Sequence, residues 1–213
     1  MSSIVVAGDT SGTCTLQAPA VAGSTVLTLP AVSGTVLTSA TGQTLTSPVI
    51  NGMGSSILTS GTAQASTSGT SIDFTGIASW AKRVTVMFNG VSTNGTSPVQ
   101  VQIGNGSIVT TGYNSIANYG ATAGTYTVST TGFITDATGV ALAATNRSGL
   151  LVLDLIGSNT WVSSGNVYQI AQSVSCSCAG NSPVLSGALD RIRITTVNGT
   201  DTFDAGSINI MYE

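Results

Sequence analysis

Residues that commonly perform acid–base or nucleophilic catalysis are scarce in this sequence. Its 213 residues contain no histidine, five Lys and Arg, and eight Asp and Glu. Histidine is the side chain that titrates near neutral pH, so Ser-His-Asp and Cys-His arrangements are excluded. Two carboxylates three positions apart, Asp201 and Asp204, are a residue pair that could hydrolyse a glycan, but aspartates here more commonly shape turns and form surface ion pairs. We therefore predict a non-enzymatic protein without a cofactor.

The cysteines do not form a metal-binding pattern either. Cys176 and Cys178 are close in sequence, but Cys14 is distant, and a zinc site needs four Cys or His ligands. In an extended strand the two close cysteines would face the same side, as small buried side chains or at an interchain contact. A calcium site at Asp201 and Asp204 would lack the dense oxygen spacing of a recognisable loop. We predict no metal site.

Aromatic side chains suggest a binding surface instead. Tyr113, Tyr119 and Tyr126 lie in a Gly- and Asn-rich stretch, and Trp161 and Tyr168 follow. Rigid aromatic rings beside amides form contact surfaces for partners, including sugars, so Tyr113, Tyr119, Trp161 and Tyr168 are candidates for contact with a partner molecule. The alternative is that Trp161 and Tyr126 belong to the core while the others line a subunit interface.

The charge content excludes further classes. Charged residues make up 6% of the chain, against about a quarter in an average domain. A net charge of −3 with scattered basic residues argues against nucleic acid. The sequence has no run of 18 apolar residues, so we predict no membrane insertion. Residues 1–7 lack the basic start of a secretory signal, and three cysteines fit synthesis in a reducing cytoplasm.

An 11-residue repeat occupies the start of the chain. Gly12, Gly23 and Gly34 begin successive units, within a stretch from Thr10 to Ile72 that has no charged residue. Each of the first two units contains Gly, Pro and several β-branched residues, which disfavour helix and suit short strands joined by bends.

Such a thin ribbon cannot bury its own apolar side chains, because repeat units of this size form a core only by stacking on neighbours. We therefore predict that residues 1–56 form an extended β arm that trimerises the protein and attaches it to a larger assembly. The alternative is a disordered, low-complexity arm. The residues expected to make the arm's contacts are Leu16, Pro19, Val26, Leu27, Leu29, Pro30, Val36 and Leu37.

Residues 57–213 show the alternation of half-buried strands. Residues 83–88, 99–103, 191–194 and 207–212 place apolar side chains on one face, and the second of these runs points glutamines outward. Residues 149–156 are more continuously apolar, which predicts a central strand covered on both sides. Turn signals separate these runs, and residues 124–135 and 168–174 are further strand candidates. The fold class predicted is all-β, an arm followed by an antiparallel β-sandwich or jelly-roll-like domain.

Several further stretches of the sequence are informative when taken together. They are Gly8–Gly12 with Thr15–Gly23 and Leu27–Pro30, Thr44–Gly52, Ile72–Ile77 with Trp80 and Lys82–Val84, and the closing stretches Asp190–Arg193 and Asp204–Asn209. In these stretches the chain resembles tailed-bacteriophage virion proteins of the tail-fibre or head-fibre type. The resemblance implies a non-enzymatic homotrimer on the virion surface, made in the cytoplasm of the host bacterium. It implies contacts with other virion proteins of the capsid, neck or tail. It does not decide between a location on the head and a location on the tail.

The repeat section is short for a long fibre. Three units of 11 residues reach at most about 110 Å when extended. We therefore expect a short fibre or spike that contacts the host, including its surface glycans. A capsid decoration (cement) protein is the alternative, and a glycan-cleaving spike is the third possibility.

Overall fold

A computed structural model of the protein describes most of the second predicted region and two strands of the first. The chain divides into two units, Met1–Val49 and Ile50–Glu213. In the first unit β1 (Ser3–Ala7) pairs antiparallel with β2 (Thr13–Gln17), which falls within the first repeat. Most of the predicted arm, including residues 18–56, lies outside the described residues. Those described are 3–7 and 13–17, for the backbone alone, and 58–120, 125–143 and 145–213.

The larger sheet of the second unit has nine strands, and all its pairings are antiparallel. A run of eight strands forms its hydrogen-bonded path, and a ninth pairs with one of them. In spatial order they are β10 (Tyr126–Ser129), β9 (Asn114–Tyr119), β14 (Val174–Asn181), β13 (Thr160–Gln169), β12 (Arg147–Gly157), β6 (Arg83–Thr93), β16 (Phe203–Tyr212) and β3 (Thr59–Ser60), with β4 (Gln64–Ala65) also on β16.

The smaller sheet has five strands and is also antiparallel. Its order is β11 (Phe133–Ile134), β7 (Val99–Asn105), β15 (Arg191–Thr196) and β5 (Ser71–Thr75), with β8 (Ser107–Ile108) paired to β7. A single 3₁₀ turn, Ile170–Gln172, joins β13 to β14. Over the ranges given above, no helix is long and apolar enough to cross a bilayer.

The two sheets pack through their apolar faces. Alternate side chains such as Val84 and Val86 of β6, and Ile192 and Ile194 of β15, are fully buried in one shared core. Period-2 alternation directs every second side chain to this core, which is why these sequences form half-buried strands. The predicted all-β antiparallel sandwich is confirmed for the second unit; the jelly-roll connectivity and the trimer stay predictions.

Three of the strand predictions need correction. The run 149–156 lies within β12, a central strand of the larger sheet, but the chain covers only one side of it. On the outer side Leu150 is 46% exposed. Residues 168–174 are the end of β13, a 3₁₀ turn closed by Ser173 in the left-handed region, and the start of β14. Residues 124–135 hold two separate strands, β10 and β11.

A fully buried ion pair connects the two sheets. Arg147 begins β12 of the larger sheet, and its Nε donates to Asp136 Oδ2 at 2.8 Å. The other carboxylate oxygen of Asp136 accepts the backbone N–H of Val99, in β7 of the smaller sheet, at 2.7 Å. Burial raises the pKa of Asp136, and the charge of Arg147 opposes that change. Because both side chains are 0% exposed, water does not stabilise either charge, and each charge is compensated by the other.

Candidate functional site

Two of the four predicted contact aromatics lie in the core. Tyr113 and Trp161 are each 1% exposed. The Tyr113 hydroxyl accepts the Ile103 N–H at 2.9 Å and lies 3.0 Å from the Val109 carbonyl, to which it can donate, and its ring meets Phe133 edge-on at 5.1 Å. This corrects the contact prediction for Tyr113 and Trp161, since neither side chain is available to a partner.

The other two differ from each other. Tyr119 faces the sandwich interior, half-buried against a small cluster formed by Ala137, Val140 and Cys176. Tyr168 lies on the outer face of the larger sheet and is 43% exposed. Tyr126, considered for the core, is instead exposed on the same outer face as Tyr168. Of the four candidates, Tyr168 therefore keeps a ring well placed for an intermolecular contact.

The cysteines and aspartates have structural surroundings. Cys176 and Cys178 are free and buried on the inner side of β14, and burial raises the pKa of the Cys178 thiol to about 12. Asp201 accepts hydrogen bonds from the Ser97 N–H at 2.9 Å and from Asn198 Nδ2 at 2.6 Å. Asp204 accepts a hydrogen bond from the Ser92 hydroxyl. Across the described part of the chain, no three His, Cys, Asp or Glu residues are grouped as metal ligands would be.

The arm residues are mostly beyond the described ranges. Pro19, Val26, Leu27, Leu29, Pro30, Val36 and Leu37 lie outside them, and Leu16 is placed by its backbone in β2, opposite Ile4. Their predicted role in attachment stays a prediction.

The outer side of the larger sheet carries an unusual surface, here called the uncharged face. Strand register places its residues in two rows across seven strands, because outward side chains at paired positions are neighbours. One row is Asn209, Met87, Leu150, Asn166, Ser177, Asn118 and Tyr126, and the other is Met211, Thr85, Val152, Ser164, Ala179, Ile116 and Val128. Neither row contains a charged residue. An ion-pair group of Arg83, Asp154 and Glu213 lies at one end, beyond the second row.

The outer side of the smaller sheet is different and contains a groove, here called the polar groove. Two cavities of about 320 and 350 Å³ both have Thr110 and Arg193 in their walls, so they adjoin. Register places Gln102, Arg193 and Asp73 in one row of its floor, and Gln100, Thr195 and Ser71 in the next. These are the outward positions of β7, β15 and β5, whose alternate residues form the core.

Two glutamines of β7 line the groove, and their hydrogen bonds are incomplete. Gln100 is 2% exposed, and its Oε1 accepts from the hydroxyls of Thr131 at 2.9 Å and Ser129 at 3.3 Å. Gln102 Nε2 donates to the Thr131 carbonyl at 2.8 Å. Gln100 Nε2 and Gln102 Oε1 have no hydrogen-bond partner within the described residues. The groove therefore offers one amide donor and one amide acceptor to an incoming molecule.

Charge in the groove is balanced by a pair. Arg193 donates from Nε to Asp73 Oδ1 at 2.8 Å and from Nη2 to Asp73 Oδ2 at 2.6 Å. This two-point contact raises the pKa of Arg193, chiefly through the hydrogen bonds to the carboxylate. Because the pair is held flat by its two bonds, it presents a neutral, planar polar surface.

Sequence reasoning recognised the two glutamines of β7 as outward but did not identify them as a site. The signal was present in the alternation Val-Gln-Val-Gln-Ile of residues 99–103. Their burial depends on Ser129 and Thr131, which are distant in sequence and bring hydroxyl and carbonyl groups over β7. A sequence pattern cannot reveal such a non-local cover.

Comparison of the chain with protein-family models, with curated proteins and with solved structures finds no significant match in any of the three.

Proposed function

We propose that this protein is a non-enzymatic structural subunit of a bacteriophage particle, a homotrimeric short fibre or spike at the tail, neck or head. In this proposal the arm, residues 1–56, attaches and trimerises the chain, and the β-sandwich projects from the surface and contacts the host. The virion is its location, after synthesis in the bacterial cytoplasm.

The observation that carries the proposal is the uncharged face. The continuous apolar pattern of residues 149–156 is typical of a strand covered on both sides, yet this chain covers one side. Leu150, Val128, Ile116 and Tyr126 are exposed on the other side, among Asn and Ser side chains. A contiguous exposed surface of this composition is typical of a protein–protein contact. An assembly subunit would use such a surface, and a freely soluble enzyme would not need it.

The first experiment measures where and how often the chain occurs. Particles purified from infected cells are quantified by mass spectrometry, and the chain is located by antibody labelling in the electron microscope. A short fibre or spike predicts a few trimers at one location. The decoration alternative predicts hundreds of copies over the capsid, and absence from the particle would contradict both.

The second experiment tests the arm. Deleting residues 1–44 removes the repeats, and we expect the remaining chain to keep its β-sandwich while sedimenting as a monomer or weak oligomer and failing to join the particle. Normal incorporation of the truncated chain would contradict the attachment role.

The glycan-cleaving spike is tested separately by turnover of purified host polysaccharide. The surroundings of Asp201 and Asp204 favour a structural role, because their carboxylates are engaged by neighbouring backbone, amide and hydroxyl donors. We therefore expect no turnover, and no change on replacing Asp201 with Asn.

A further inference from the structure

The polar groove contains hydrogen-bonding groups that its own fold leaves unused. Gln100 is almost fully buried and held at its Oε1 by Ser129 and Thr131, yet its Nε2 has no acceptor among the described residues. A fixed amide donor without a protein partner loses the free energy of a hydrogen bond unless water or a ligand accepts it. Gln102 Oε1 is the complementary acceptor, two positions along the same strand face.

The remaining lining indicates the charge of the ligand. Thr110 and Ser71 supply hydroxyls that can both donate and accept. The hydroxyls of Thr131 and Thr195 donate to Gln100 Oε1 and to the Thr70 carbonyl, so they can only accept from a ligand. Arg193 is neutralised by Asp73, and Arg191 at the far end is paired to Asp190 at 2.8 Å. The groove therefore favours neither an anion nor a cation. A neutral molecule with many alternating donors and acceptors matches it best.

The position of the groove separates two kinds of neutral polar ligand. An extended peptide binds a sheet by adding a strand to a free edge, where backbone groups are unpaired. Here β15, in the middle of the floor, is already paired on both sides, with β7 and with β5, and β5 is the last strand of the described sheet. The middle of the groove therefore offers side chains and no unpaired strand edge, which favours an oligosaccharide over a peptide backbone.

We propose that the polar groove is a binding site for a short neutral oligosaccharide. Gln100 Nε2 donates to one sugar hydroxyl, Gln102 Oε1 accepts from another, and the planar Arg193–Asp73 pair contacts further hydroxyls. The two adjoining cavities give the groove room for more than a single small group. Assigning the bound sugar to a host surface rests on the proposed function, whereas the binding itself does not.

The test first applies the full chain to an array of neutral oligosaccharides, acidic oligosaccharides and peptides. The neutral sugar that binds best is then titrated by NMR up to about 10 mM, a range that reaches weak millimolar affinity. The decisive variant is Thr110→Trp. Thr110 is exposed, borders both cavities and makes no side-chain hydrogen bond to the described residues, so a bulky ring there fills the groove without removing an internal contact. Val184→Trp, at an exposed position outside the groove, is the matched control.

We expect the wild-type chain to bind a neutral sugar. The variant Thr110→Trp should weaken this binding at least about tenfold, and Val184→Trp should leave it unchanged. Gln100→Met should weaken it as well, with unfolding by urea recorded to separate lost binding from lost folding. Absence of sugar binding, binding that Thr110→Trp does not alter, or preference for acidic sugars or peptides would overturn the proposal. Incorporation into particles is measured in parallel: sugar binding without incorporation would refute the proposed function and keep the site, and the reverse would refute the site alone.

Discussion

The two outer faces of the sandwich are built by the same strand alternation and have opposite character. The larger sheet presents Met, Leu, Val, Ile and Tyr among Asn and Ser, with ion pairs at one end. The smaller sheet presents Gln, Thr, Ser, Arg and Asp around a groove. Inward positions of both sheets are alike, since they must share one core.

This contrast separates stability from function in the molecule. Inward side chains must be apolar to form the shared core, whereas exposed outward ones can differ because substitutions there usually change stability by less than about 0.5 kcal/mol. Gln100 points outward but is covered by Ser129 and Thr131, so it does not belong to that exposed set. An exposed, uncharged surface with apolar side chains suits a large protein partner, and a concave polar surface suits a small polar ligand. We therefore expect interior changes to alter folding and outer-face changes to alter binding.

The largest effect should come from the ion pair between the sheets. Replacing Asp136 with Asn leaves the charge of Arg147 buried without its partner, and we expect a loss of roughly 3–5 kcal/mol in the free energy of unfolding. Urea denaturation followed by tryptophan fluorescence measures it.

The matched control is the double variant Asp136→Asn with Arg147→Met. It removes both charges while keeping an amide oxygen for the Val99 N–H, so it should be more stable than the single variant. If Asp136→Asn were as stable as the wild type, the pair would not join the sheets as described.

The next effect concerns alkaline pH. Burial raises the pKa of Tyr113 from 10.0 to about 12 in the folded protein. A raised folded pKa means that the stabilisation is complete below pH 10 and is lost as the pH rises towards 12, by about 2–3 kcal/mol at the end of that range. Cys178, raised from 9.0 to about 12, acts in the same direction from pH 9 upward.

Unfolding free energies measured in urea between pH 8 and pH 12 test this effect. The variant Tyr113→Phe is the control, because it removes the buried phenol and should reduce the loss of stability between pH 10 and pH 12, leaving the part due to Cys178. It also loses the hydrogen bonds to Ile103 and Val109. If the wild-type protein were equally stable at pH 8 and pH 12, the raised pKa values of the buried Tyr113 and Cys178 would be contradicted.

The uncharged face offers a sharper test of the comparison. Leu150→Lys places a charge in its first row, and we expect self-association of the full chain to weaken at least about tenfold. Unfolding of the single chain should change by no more than about 0.5 kcal/mol. Sedimentation velocity measures the association. Val184→Lys, exposed outside this face, should leave association intact, and equal effects of the two variants would remove the special role of the face.

A similarly small effect on folding is expected in the groove. Asp73→Asn breaks the partly exposed pair with Arg193, and such surface pairs contribute about 0–1 kcal/mol. The same change makes the groove more positive, so binding of a neutral sugar should weaken more than stability does. Urea denaturation and the sugar titration are compared on the same preparation, and a stability loss of several kcal/mol would show that the groove is part of the folding core.

Local patterns were sufficient for part of this structure. The alternation in residues 83–88 and 191–194 predicts strands β6 and β15 and their inward side chains, because a period of two is a property of the backbone itself. The same reasoning failed for Tyr113, which it offered as a contact residue, and for Trp161 it left a contact and a place in the core as alternatives, of which the core is correct. Whether an aromatic ring packs inward depends on what the rest of the chain places against it.

The sequence alone determined the class of this protein: antiparallel strands, few charges, no histidine and an uncharged repeat at the start. Tertiary structure alone decided that Asp136 meets Arg147, that Ser129 and Thr131 cover Gln100, and that one side of β12 stays open. The physical reason is that strand formation follows from neighbouring residues, whereas burial and hydrogen-bond partners are set by segments that are distant along the chain and adjacent in the fold.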